Sequence, residues 1–171
     1  MKKTDKRIVT TSPQIHHAAS TASIMWTVTL CLVPAGIWGV YIFGLRALTV
    51  VLVSIASALL CELLASLAKG KITLGDGSAF LTGILVGYNM PATVPLYIPI
   101  IASAFAIIVV KWSFGGLGAN WMNPALAGRV FVFFSWTGGM TNWTAPKTWM
   151  LDSLTAASPL GEIKAGPMDF T

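Results

Sequence analysis

Apolar residues fill this chain in long runs, and short polar gaps separate the runs. Residues 24–44 and 47–68 are the first two. Each approaches the roughly 20 residues an α-helix needs to cross about 30 Å of hydrocarbon. Arg46 is the charge between them, so the pair reads as a tight helical hairpin. Pro34 falls inside the first run, where a membrane helix tolerates a kink. Residues 79–90 are apolar but short, Pro91, Pro95 and Pro99 follow, and the run 96–110 ends at Lys111. This pair of segments either crosses out and back or is partly re-entrant. Short, Pro-interrupted segments mark backbone that must face protein or a cavity. Gly83 and Gly87 have the GxxxG spacing that suits close helix packing. A fifth run extends from about residue 122 to 136. The pattern predicts an all-α integral membrane protein with about five transmembrane segments, some of them short broken helices. A polar N-terminal tail (1–23), a transmembrane domain (24–136) and a polar tail (137–171) make up the chain.

Composition agrees. Hydrophobic residues are 55% of the chain and charged residues 10%, against about 25% charged in soluble domains. So few charges cannot build a water-facing surface. The net charge of +5 therefore bears on topology and not on nucleic acid, because the basic residues sit in the gaps between apolar runs. With the N-terminus in the cytoplasm and five crossings, the inner segments hold Lys2, Lys3, Lys6, Arg7, Lys69, Lys71 and Lys111. The outer ones hold Arg46, Lys147 and Lys164, a bias of seven to three. That orientation puts the tail from residue 137 on the outer face, with Trp136, Trp143 and Trp149 as interface aromatics. The first apolar run is too long for the core of a cleavable signal peptide. Cys31 and Cys61 both lie in apolar runs and read as packing residues; a cluster shared with a partner subunit is the alternative.

Three stretches carry candidate chemistry. The first is Gly115-Gly116-Leu-Gly118-Ala-Asn120, whose glycines allow a backbone to approach a ligand closely. A tight loop entering a helix is the alternative. In the second, Asn123 before Pro124 predicts a capped helix start near membrane depth, which would favour an anion or an electron-rich ligand. Arg129 in the same apolar stretch and Glu62 in the second run are intramembrane charges that need a partner or a ligand. A structural Arg–carboxylate pair is the plain reading of both. The third is Asp152-Ser-Leu-Thr155-Ala-Ala-Ser158, on composition a polar loop with hydroxyls.

Together these stretches resemble the RnfD/NqrB family, membrane subunits of the Rnf complex and of the sodium-pumping NADH:quinone reductase. The likeness rests on four segments. Ser12-Pro13-Gln14-Ile15-His16 looks like the N-terminal Ser-Pro-His start of RnfD, with Gln14 in place of His. Residues 76–83 (Asp-Gly-Ser-Ala-Phe-Leu-Thr-Gly) and the following prolines look like the third-span motif. The most specific segment is Gly115-Gly-x-Gly-x-Asn120-x-x-Asn123-Pro124-Ala-Leu-Ala. Residues 152–160 are similar to the family's covalent flavin-attachment motif. The short start favours RnfD. The resemblance covers nearly all of this chain but about the first half of a family member, whose ten or so spans form two inverted repeats.

The resemblance implies FMN joined by a phosphoester on the outer face by a flavin transferase. Counting from Asp152 the acceptor is Ser158, with Thr155 the second choice. It implies that Gly115, Gly116, Gly118, Asn120 and Asn123 line a second flavin, such as riboflavin, or the ion path. Arg129 would offset the charge of a reduced flavin. The implied setting is the bacterial inner membrane, in contact with lipid and with the other Rnf subunits, where electron transfer drives Na⁺ or H⁺ across. A channel or secondary transporter without redox chemistry is the rival, since broken helices and an intramembrane Arg serve a solute path equally well.

Overall fold

The computed structural model describes residues 20–70 and 74–142, and among these every regular element is helical. The order is α1 (Thr21–Phe43), α2 (Leu45–Lys69), one 3-10 turn (Leu74–Asp76), α3 (Ser78–Tyr88), α4 (Tyr97–Ala104), α5 (Pro124–Ser135) and the short α6 (Thr137–Met140). Helix α4 continues directly into a π-helical segment, Phe105–Trp112.

Ser20 starts α1, its hydroxyl accepting the backbone N–H of Ser23 at 3.2 Å. The α1–α2 break is a single residue, Gly44, at φ 80° and ψ −173°. Arg46 lies inside the first turn of α2 and not between the helices. The connection turns on conformational freedom that a glycine has and a charged residue lacks.

At 1.5 Å per residue, 23 and 25 residues make α1 and α2 about 35 and 38 Å long. Both exceed the hydrocarbon thickness of about 30 Å. Three shorter apolar helices accompany them: Ser78–Tyr88, Tyr97–Trp112 and Pro124–Ser135.

Small residues bring these helices together. Helix α3 runs antiparallel along α2. A Cβ added at Gly83 would lie 2.6 Å from Ile55 Cα, and one at Gly87 2.8 Å from Val51 Cα. The GxxxG pair is thus the surface on which α3 meets the α2 backbone. The α4–π helix then returns parallel to α2. Ser103 donates to the Ser54 carbonyl at 3.1 Å, and Ile107 shares a buried cluster with Ala58 and Ala79. Residues 79–110 therefore run first antiparallel and then parallel to α2. Helix α5 reverses again, with Gly128 against the Ala102 carbonyl and Phe131 stacked on Phe105 at 4.2 Å. The main core lies between α2, α3, α4 and α5: Val50, Val86, Val94, Ile98, Ala102, Ala125 and Val132. Trp136 packs at its edge, in a T-shaped contact with Tyr97.

The outside is as apolar as the inside. Leu30, Ile37, Leu45, Leu64 and Phe134 are each more than 60% exposed. An apolar exterior of this extent is untenable in water and is what a lipid-facing bundle requires. The molecule is an all-α membrane protein.

The α2–α3 contact gives a direct test. Gly83→Ala places a methyl group against backbone, which cannot move aside as a side chain would. It should cost about 1–3 kcal/mol and lower the melting temperature of the detergent-solubilised protein. Gly39→Ala, where an added Cβ meets nothing within 4 Å, should leave melting unchanged.

Candidate functional site

The glycine loop leaves the last turn of the π segment. Gly115, Gly116 and Gly118 adopt φ of 110°, 101° and 90°, a region in which side chains are rarely accommodated. Gly116 N–H donates to the Lys111 carbonyl at 3.0 Å and Gly115 N–H to the Trp112 carbonyl at 3.3 Å. The loop is largely exposed up to Ala119, Asn120 is half-buried, and Trp121 is exposed again. The Asn120 side-chain oxygen is buried and has no hydrogen-bond partner among the described residues. A buried amide oxygen left unpaired costs free energy.

Three residues on, Asn123 caps α5 as its spacing before Pro124 predicts. Its side-chain oxygen accepts from Ala125 N–H at 2.9 Å and Leu126 N–H at 3.4 Å. This helix start lies alongside Val109 and Val110 of the π segment. Beside it is a cavity of about 560 Å³ lined by Phe105, Phe114, Trp121, Asn123 and Phe131, with aliphatic side chains between. That volume is within the usual range for small-molecule sites, and an apolar wall with few polar groups is their usual lining. The aromatic rings and the carboxamide suit a planar, partly polar ring system. Of the sequence-predicted site residues the cavity takes in Asn123, whereas Gly115, Gly116, Gly118 and Asn120 are not among its lining residues. Arg129 is set apart from them on the other side of α5.

Arg129 is half-buried and donates to the Asn89 side-chain oxygen at 2.8 Å. Asn89 ends α3 and in turn donates to the Leu85 carbonyl at 2.8 Å. The expected Arg–carboxylate pair does not form among the described residues. The Arg129 charge is held by a neutral amide.

Glu62 finds its partner elsewhere. Lys111 donates to one carboxylate oxygen of Glu62 at 2.8 Å, and the two side chains are 3% and 0% exposed. Lys111 also donates to the Ser78 hydroxyl at 2.7 Å, which donates to Asp76 at 2.7 Å. Trp112 Nε1 donates to the second Glu62 oxygen at 2.8 Å. Neither Lys111, Ser78 nor Trp112 is a site residue on sequence grounds. Lys111 closes an apolar run and counts there as an inner-loop charge, whereas the structure buries it. The inside-to-outside bias then falls to six against three, with its sign unchanged. The question that finds Lys111 in the sequence is which cation neutralises Glu62.

Asp152, Thr155 and Ser158, the Ser12–His16 start motif, and the basic tail lie outside the described residues.

The buried pair is open to a double-mutant cycle. Removing one partner leaves the other charge uncompensated, and such losses run to about 3–5 kcal/mol. Glu62→Leu should therefore destabilise the detergent-solubilised protein by that order. Adding Lys111→Met should recover most of the loss, as read by thermal melting of both variants.

The chain matches the NQR2, RnfD, RnfE family over residues 8–171. It is 45% identical over 161 residues to the D-subunit of the Na(+)-translocating ferredoxin:NAD(+) oxidoreductase complex of Acetobacterium woodii, an alignment covering 92% of this chain and 49% of that protein. It is 41% identical over 157 residues to the D-subunit of the proton-translocating ferredoxin:NAD(+) oxidoreductase complex of Clostridium ljungdahlii, covering 91% and 47%. The D-subunit of an ion-translocating oxidoreductase complex from Shewanella denitrificans is 38% identical over 163 residues, covering 93% and 47%. The chain thus spans about half the length of the curated relatives it matches. With nearly every residue inside the family match, and identities of this size over nine-tenths of its length, the chain belongs to the NQR2, RnfD, RnfE family.

Proposed function

We propose that this chain works as a membrane subunit of an Rnf-type electron-transport complex, coupling electron transfer between ferredoxin and NAD to ion movement. The observation that carries this is the agreement of relatives from different bacteria, each named as the same subunit of an ion-translocating oxidoreductase complex. The setting is the bacterial inner membrane, with the N-terminus in the cytoplasm and the tail outside. The relatives named for Na⁺ and for protons stand at 45% and 41% identity, so overall similarity does not choose between the two ions.

Two flavin sites belong to this reading. Bound flavin supplies one- and two-electron redox chemistry, and the protein supplies position and electrostatics. The first site is the Ser158 hydroxyl, the acceptor of a covalent FMN phosphoester made by a flavin transferase, with Thr155 as the second choice and Asp152 as the motif's acidic residue. The second is noncovalent, in the cavity beside the α5 start, and riboflavin suits it. The Asn123 side chain would set the polar edge, and Phe105, Phe114, Trp121 and Phe131 would hold the ring plane. Gly115, Gly116 and Gly118 set the path of the loop between Phe114 and Trp121, which both line the cavity.

Co-expression with the transferase, denaturation and in-gel flavin fluorescence test the covalent site. The wild-type band should fluoresce under ultraviolet light, and Ser158→Ala should abolish at least nine-tenths of the signal. Fluorescence that survives in Ser158→Ala but is lost in Thr155→Ala would move the bond to Thr155. A band dark in the wild type would remove covalent flavin from the account.

A further inference from the structure

Three features meet at the π-helical segment Phe105–Trp112. The first is the π geometry itself. Its hydrogen bonds run from i to i+5, the turn is wider than in an α-helix, and such turns persist where something holds them, often at functional sites. The second is the anchoring of its last two residues on one carboxylate, Lys111 on one Glu62 oxygen and Trp112 on the other. Consecutive side chains on an α-helix point about 100° apart. A wider turn reduces that divergence and lets both reach the same group. The third is the start of the glycine loop, whose first two backbone bonds land on the carbonyls of these same residues. The Ser113 hydroxyl adds a bond back to the Ile108 carbonyl at 3.1 Å, again five residues earlier.

We infer that Glu62, Lys111 and Trp112 are positioning residues for the 115–120 loop, and through it for the ligand cavity. The carboxylate holds the π register. The register fixes where along the helix, and in which direction, the chain leaves for Gly115. Relaxing the segment to α-helix would shift the exit by one residue, about 1.5 Å along the axis and 100° around it. Asn120 and Trp121 follow eight and nine residues after Trp112 and would move with it. Ser78 fastens the same ammonium to the start of α3, so the loop is tied to both α2 and α3. The positioning itself stands on geometry alone. Its consequence for flavin binding rests on the reading of the cavity given above.

The test compares the full chain, purified in detergent with the complex subunits that accompany it, as wild type and as the double variant Glu62→Leu/Lys111→Met. That variant removes both charges together and so avoids a lone buried ion. Hydrogen–deuterium exchange resolved by mass spectrometry reports local opening. Exchange in the peptide spanning 113–121 should rise at least tenfold in the variant, while peptides within α5 stay unchanged. Retention of added riboflavin should fall about tenfold. If the double variant does not assemble, Trp112→Phe keeps the ion pair and removes only one anchor, and it should still raise loop exchange about threefold. Unchanged loop exchange in an assembled variant would overturn the inference, and so would an equal rise in α5. Wild-type protein that retains no riboflavin would sink the flavin reading alone, with the exchange comparison still deciding the positioning role.

Discussion

A carboxylate and an ammonium group withdrawn from solvent are the constraint around which this bundle is arranged. Glu62 and Lys111 are 49 residues apart in sequence and 2.8 Å apart in space. Neither charge is tolerable alone at that depth. Their meeting requires α2 and the α4–π helix to run side by side in one register. It requires α3 to begin where Ser78 can take a second Lys111 bond. It also places Trp112, and hence the departure of the glycine loop. Without this pair, the short helices would have apolar packing alone to set their register against α2.

Lipid offers little hydrophobic drive between helices, so close approach and internal hydrogen bonding have to supply the rest. Gly83, Gly87 and Gly128 bring backbones together. Ser54, Ser57 and Ser103 sit on the α2–α4 seam, where Ser57 and Ser103 donate across to facing carbonyls. Asn123 satisfies the first amides of α5 at a point where no solvent is assured. These local solutions let 11- and 12-residue helices exist beside two that are long enough to span. They also leave room at the broken ends, and the aromatic cavity lies there.

Much of this framework is legible in the chain. Runs 24–44 and 47–68 fall within three residues of α1 and α2, because length and apolarity alone define a spanning helix. The GxxxG contact and the Asn123–Pro124 cap are legible for the same reason: each is a local rule with a fixed spacing. What is not legible is nonlocal. A lysine ending an apolar run looks like an interface charge until Glu62 is placed across from it. The partner of Arg129 proves to be the neutral Asn89, 40 residues away, which no charge-pairing argument selects. The π geometry has no sequence period of its own, since it follows from anchors on another helix. The α1–α2 break passes from Arg46 to Gly44 because backbone freedom, and not charge, decides a one-residue turn.

Family membership, an all-α membrane fold and an aromatic cavity beside the α5 start support the flavin-carrying role proposed for this chain. The covalent handle rests on the spacing from Asp152 to Ser158. The decisive measurement is the mass of the chain extracted from membranes of cells that also make the transferase, followed by fragmentation. The expected result is an added mass equal to FMN less one water, carried by the fragment containing Ser158. A chain at its unmodified mass, from cells in which the transferase modifies a known target, would contradict covalent attachment.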